Sequence, residues 1–175
     1  AAFMPASSSD LLKQYGVDLL KGEDGIIFGY NNLMTPYANF AWDAGVIYHE
    51  YTHYSIGSAL WRPAADKYGV DPTPRGLNEA LADYMPCSFT SNTKMGEYAL
   101  GSSARDLTRN LKCPDHIVGE EHQDGEVASG ALWAARTVVG KDVLDKAIWK
   151  AVITFTASTT FSEASTAILD ELKTA

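Results

Sequence analysis

The segment Val46-Ile47-Tyr48-His49-Glu50-Tyr51-Thr52-His53 constrains this chain more than any other. On a helix, positions four apart lie one above the other on the same face, so His49 and His53 can aim both imidazoles at one point. Glu50 sits about a third of a turn round from His49, within reach of a water held at that point. Two imidazoles with a carboxylate beside them make a metal site that carries its own general base. The flanks read as a buried helix over 43–57, with Val46 and Ile47 before the motif and Ile56, Ala59 and Leu60 after it. Asp43 is the expected N-cap and Gly57 the expected break. The chain has only four histidines, and two of them fall in this register.

A catalytic zinc takes three protein ligands and leaves a position for water. The third ligand is expected from Gly76-Leu77-Asn78-Glu79-Ala80-Leu81-Ala82-Asp83-Tyr84. Leu77, Leu81 and Tyr84 repeat at helical spacing, and the alanines favour helix. Glu79 and Asp83 then share a face. Glu79 is the candidate ligand, and Asp83 would accept a hydrogen bond from the far nitrogen of a ligand histidine.

Together these residues resemble the thermolysin-like metallopeptidases, the gluzincin group, including its fungalysin branch. Besides the two zinc segments, Ala2-Phe3 resembles the end of the family's substrate-binding edge strand. Ile26-Ile27-Phe28-Gly29 resembles the strand after it. Arg109-Asn110-Leu111-Lys112-Cys113-Pro114 is similar to a segment whose Arg holds a substrate carbonyl, and His122-Gln123-Asp124-Gly125-Glu126-Val127 to the fungalysin segment carrying a transition-state histidine. The resemblance implies an α+β fold: a β-rich N-terminal part, a central zinc helix and a mainly helical C-terminal lobe. The division falls at 1–57 and 58–175.

It also implies a zinc-dependent endopeptidase acting on peptides or proteins. His49, His53 and Glu79 would be the ligands, Glu50 the base, Asp83 the support, and Arg109, Ala2 and Phe3 substrate contacts. His122 would face the developing oxyanion. Aligning the segment on Ser129-Gly130 instead puts Glu126 in that position, where a carboxylate donates poorly. Val46 is expected at an apolar specificity pocket.

Several departures qualify the resemblance. Ala1 stands where the family has Asn, and the family's upstream β-rich segment and final helix have no counterpart here. An excised catalytic region is the reading this favours, with a propeptide or another chain supplying the missing strands. No calcium-binding acidic cluster follows Asp83, so calcium is not assigned. The alternative from another class is a non-catalytic fragment or pseudoenzyme with a structural zinc that needs a partner chain. Against it stands the intact Glu50. An aminopeptidase of the wider group lacks a recognisable anchor for a free amine.

A chain of 175 residues with 46% apolar residues can bury a sizeable core. Its net charge of −8 disfavours nucleic-acid and anionic-membrane partners. No apolar run of about 20 residues is long enough to span a bilayer. Ala1 fits a mature chain start, and the two cysteines, Cys87 and Cys113, suit one disulfide in a secreted protein. Pro86 is expected to kink or end the Glu79 helix. Further helices are expected over 126–139, closed by Gly140, over 141–153, and over 162–172 with Ser162 as N-cap. Trp133 and Trp149 are expected in packing.

Overall fold

The computed structural model describes residues 30–31, 38–60, 73–156 and 158–174. Helices dominate. In chain order they are α1 (Ala44–Leu60), α2 (Thr73–Thr90), the short α3 (Glu97–Leu100), α4 (Glu121–Val139), α5 (Lys141–Val152) and α6 (Phe161–Lys173). Two antiparallel two-stranded ribbons accompany them. β1 (Tyr30–Asn31) pairs with β2 (Ala38–Asn39), and β3 (Lys94–Met95) with β4 (Arg105–Asp106). Ala2, Phe3 and the expected strand at Ile26–Phe28 lie outside the described residues.

The centre of the described fold is α2, which packs on α1, on α4 and on the α5–α6 pair. From Gly76 to Tyr84 every residue of α2 is buried. Leu77, Leu81 and Tyr84 join Val46 and Ile56 from α1, Trp133 from α4, Leu144 and Ile148 from α5, and Ile168 from α6 in one core. Val46 thus packs inward, and the cavities described below do not use it. Trp133 is core, whereas Trp149 is 42% exposed and does not fill the packing role expected of it.

Asp43 begins α1 as the sequence suggests. One carboxylate oxygen accepts from the Val46 amide at 3.2 Å and the other from the Ala99 amide at 2.8 Å, which ties the helix start to α3. Gly57 does not stop α1, which runs on to Leu60. Pro86 does not stop α2 either. It is fully buried inside a helix that continues to Thr90. Packing of the next turn, with Cys87 and Ser88 both buried, outweighs the loss of one backbone donor.

Two boundaries differ from expectation for reasons of capping. α4 starts at Glu121, because the Glu120 carboxylate accepts the Gln123 amide at 3.0 Å and serves as the N-cap. α6 starts at Phe161, with Thr160 and Glu163 forming a reciprocal capping box in place of a Ser162 cap. The crossing of α2 and α4 is unusually close at Gly125. A Cβ there would lie 2.9 Å from the Glu79 Cβ and 3.1 Å from the Ala80 amide nitrogen.

Candidate metal centre

His49 and His53 stand one turn apart on α1, and Glu79 faces them from α2. Their ligand atoms lie within 4.8 Å of one another. The two Nε2 atoms are 2.9 Å apart. Glu79 Oε2 is 3.3 Å from His49 Nε2, and Oε1 is 3.4 Å from His53 Nε2. The other nitrogen of each ring is anchored from α2. His49 Nδ1 lies 2.8 Å from Asp83 Oδ1, and His53 Nδ1 bonds to Asn78 Oδ1.

These anchors decide the chemistry of the inner atoms. A ring that donates from Nδ1 to an oxygen presents a lone pair at Nε2. Both Nε2 lone pairs and the Glu79 carboxylate therefore converge, an arrangement that repels itself unless a cation or proton lies between. Glu79 Oε2 is buried with no hydrogen-bond partner, despite its closeness to the rings.

The titration of the group reflects the same crowding. Burial would lower His49, but the carboxylates of Asp83 and Glu79 beside it outweigh that and raise the imidazole to about 9. Burial and the neighbouring His49 charge lower His53 to about 4. Burial opposes ionisation of Glu79, yet His49 and the other rings hold its carboxyl far below the usual range. The cluster thus traps one positive charge among three donors.

Asp83 serves a second partner that sequence reasoning missed. Arg105, on β4, donates to it from Nε at 2.7 Å and from Nη2 at 2.7 Å. This bidentate pair is buried, and it holds Asp83 ionised and turned toward His49. Arg109 lines the same cavity as Arg105 and His122. It donates from Nη1 to Glu126 at 3.2 Å and from Nη2 to the Ala104 carbonyl at 2.9 Å. A sequence signal did exist: Arg105 opens the same run of basic residues, in Arg105-Asp106-Leu107-Thr108-Arg109. Only the β3–β4 register shows which arginine faces inward. Asn78 precedes Glu79 in sequence, and only the packing of α1 on α2 brings it to the His53 ring.

Between His122 and Glu126, it is His122 that approaches the cluster. Its Nε2 lies 3.7 Å from Glu79 Oε2, and its Nδ1 is 2.6 Å from Glu120 Oε1. It sits in the first turn of α4, carried to Glu79 by the glycine crossing, and its side chain is 48% exposed. Glu50, next to His49 on α1, is half-buried and has no hydrogen bond or ion pair among the described residues.

The cysteine pairing is corrected. Cys87 and Cys113 are both free, the first buried inside α2 and the second exposed in the segment before α4. Burial pushes the Cys87 thiol up to about 12.

Compared with known protein families, characterised proteins and solved structures, the chain matches none of them.

Proposed function

We propose that this chain is a zinc-dependent endopeptidase built on the thermolysin-like plan. The observation that carries the reading is the convergence of a carboxylate and two Nε2 atoms, both rings fixed from behind, with an unpartnered Glu50 beside them. Two imidazole nitrogens and one carboxylate oxygen suit zinc, and three protein ligands leave a position open for chemistry. Zinc held there supplies Lewis acidity toward a carbonyl oxygen and makes water a stronger acid.

The chain's own residues supply the rest. Glu50 takes a proton from the attacking water and passes it to the leaving amine, as its free carboxylate allows. His122 donates from Nε2 to the developing oxyanion. Its Nδ1 is turned to Glu120, which leaves Nε2 facing the cluster. Arg109 and Arg105 both line the cavity beside the cluster and both offer unspent donors to the substrate. Asp83 and Asn78 keep the two imidazoles in the metal-binding tautomer. Pairing of an extended substrate with residues 2–4 remains part of the proposal. An exported location rests on the resemblance alone, because the cysteines are free thiols.

The test is hydrolysis of a quenched-fluorescence peptide library by zinc-loaded wild type and Glu50→Gln, with metal content measured on both. The expected result is one zinc per chain in each and a loss of cleavage of at least about 10²–10⁴-fold in the variant. Zinc in both proteins with cleavage by neither would sink the peptidase and leave a structural zinc, or a chain that waits for a partner.

A further inference from the structure

A cavity of about 410 Å³ opens beside the cluster, lined by Ser102, Arg105, Arg109, His122, Gln123 and Glu126. Arg105 and His122 are the two residues through which it meets the cluster, by way of Asp83 and Glu79. Arg109 and Glu126 form a second charged pair on its wall. The lining is polar.

Donors and acceptors are unequally committed in this cavity. Both Glu126 oxygens lie on Arg109 Nη1, at 3.2 and 3.4 Å. Arg109 gives one further hydrogen to the Ala104 carbonyl at 2.9 Å. A guanidinium carries five N–H donors, so Arg109 Nε and the rest of its Nη hydrogens have no partner among the described residues. The Nη1 of Arg105 is in the same condition, because its Nε and Nη2 are spent on Asp83. The exposures give the direction. The Glu126 side chain is 11% exposed and that of Arg109 is 45% exposed, so the carboxylate stands behind and the guanidinium in front. Each arginine is neutralised from the rear and offers unspent donors forward.

We infer that this cavity receives a carboxylate carried by the substrate close to the cleaved bond. Arg109 is then the specificity-determining residue, and Glu126 is the positioning residue that braces it. The inference rests on the peptidase reading above. An Asp or Glu side chain and the C-terminal carboxylate of a short peptide present the same planar pair of oxygens to a guanidinium fork. Two-point tethering of Arg109 by Glu126 and Ala104 lowers the cost of ordering it when substrate arrives.

Matched peptides separate the two sources. One pair differs only by Glu or Gln beside the scissile bond; the other ends in a free acid or an amide. The readout is kcat/KM of the zinc-loaded full chain. Wild type is expected to prefer the acid over its amide counterpart by on the order of ten- to a hundredfold in one pair. The pair that shows the preference names the source. Arg109→Gln should bring that ratio close to one. Glu126→Gln should keep its sign and weaken it through KM. Equal cleavage of acid and amide in both pairs by wild type overturns the inference and leaves the peptidase standing, as does a preference for a Lys-bearing counterpart. Cleavage of no peptide at all removes the peptidase and the inference with it. Because the wild-type ratios decide the matter, poor folding of a variant does not protect the proposal.

Discussion

Two polar clusters flank the central helix α2, and they are built on opposite terms. In the first, around Asp145, every demand is met. Tyr84 Oη donates to Asp145 Oδ1 at 2.7 Å, Ser88 Oγ lies 2.9 Å from both carboxylate oxygens, and Lys141 Nζ is 3.3 Å from Oδ2. Arg136 closes the group, donating to Ser88 at 3.2 Å while its guanidinium lies 4.5 Å over the Trp133 ring. In the second, around Glu79, acceptors face one another and a buried carboxylate oxygen goes unmatched. A satisfied network behaves as structure. A buried set of ligand atoms that must hold a proton or a cation between them is the kind found where a ligand is bound.

The contrast makes predictions that differ in kind as well as size. Asp83 belongs to the second cluster but carries the Arg105 charge too. Asp83→Ala should therefore destabilise the fold by about 3–5 kcal/mol, by stranding a buried guanidinium. It should also weaken zinc binding about 10–100-fold by freeing the His49 ring. Chemical denaturation and a competitive zinc titration read the two effects separately. A variant that keeps full zinc affinity would show that the second cluster is structural like the first.

Asp145→Ala is the complementary case. It leaves the Tyr84 hydroxyl and Ser88 without their acceptor, at a cost of about 1–3 kcal/mol. Zinc affinity should not change. A shift in affinity comparable to the loss of stability would mean that the two clusters are coupled through α2.

The smallest effect is a proton. His49, raised to about 9, carries a proton at neutral pH, and a metal must displace it. Zinc affinity should fall about tenfold for each unit of pH below about 9, with a second proton competing only near 4, where His53 titrates. Calorimetry in buffers of differing ionisation enthalpy should show about one proton released per zinc at pH 7. The sign for the metal-free fold is the reverse. The raised His49 value adds stability below its ordinary 6.5, and that contribution fades as pH climbs through about 9. A pH-independent affinity would show that no such proton is held.

What could be read from the sequence was set by local geometry. The spacing of His49 and His53, and of Glu79 and Asp83, is a helical property, and each pair does share a face. The helices themselves were legible for the same reason, α5 and α6 nearly to their ends. What could not be read depended on contacts between distant segments. Arg105 could not be marked because only a two-residue ribbon turns it toward Asp83. The α4 start was placed late because Glu120 is an unusual cap. Pro86 was expected to interrupt a helix that tertiary packing carries through it. The cysteines were expected to pair, yet one is locked in α2 and the other stands in solvent. Val46, expected at the lining of an apolar pocket, is committed to the core.

The unbroken burial of α2 from Gly76 to Tyr84 has a consequence for how the site moves. Amides in such a segment exchange with solvent only when the whole fold opens, whereas frayed ends and loops exchange through small local excursions. Glu79, Asn78 and Asp83 therefore ride on a part of the chain with no low-energy breathing of its own. His122 stands half exposed at the cleft edge, and Arg109 is held there by Glu126 and the Ala104 carbonyl. The ligand-bearing wall is thus set in the part of the fold expected to open last, and the rim in a part closer to solvent.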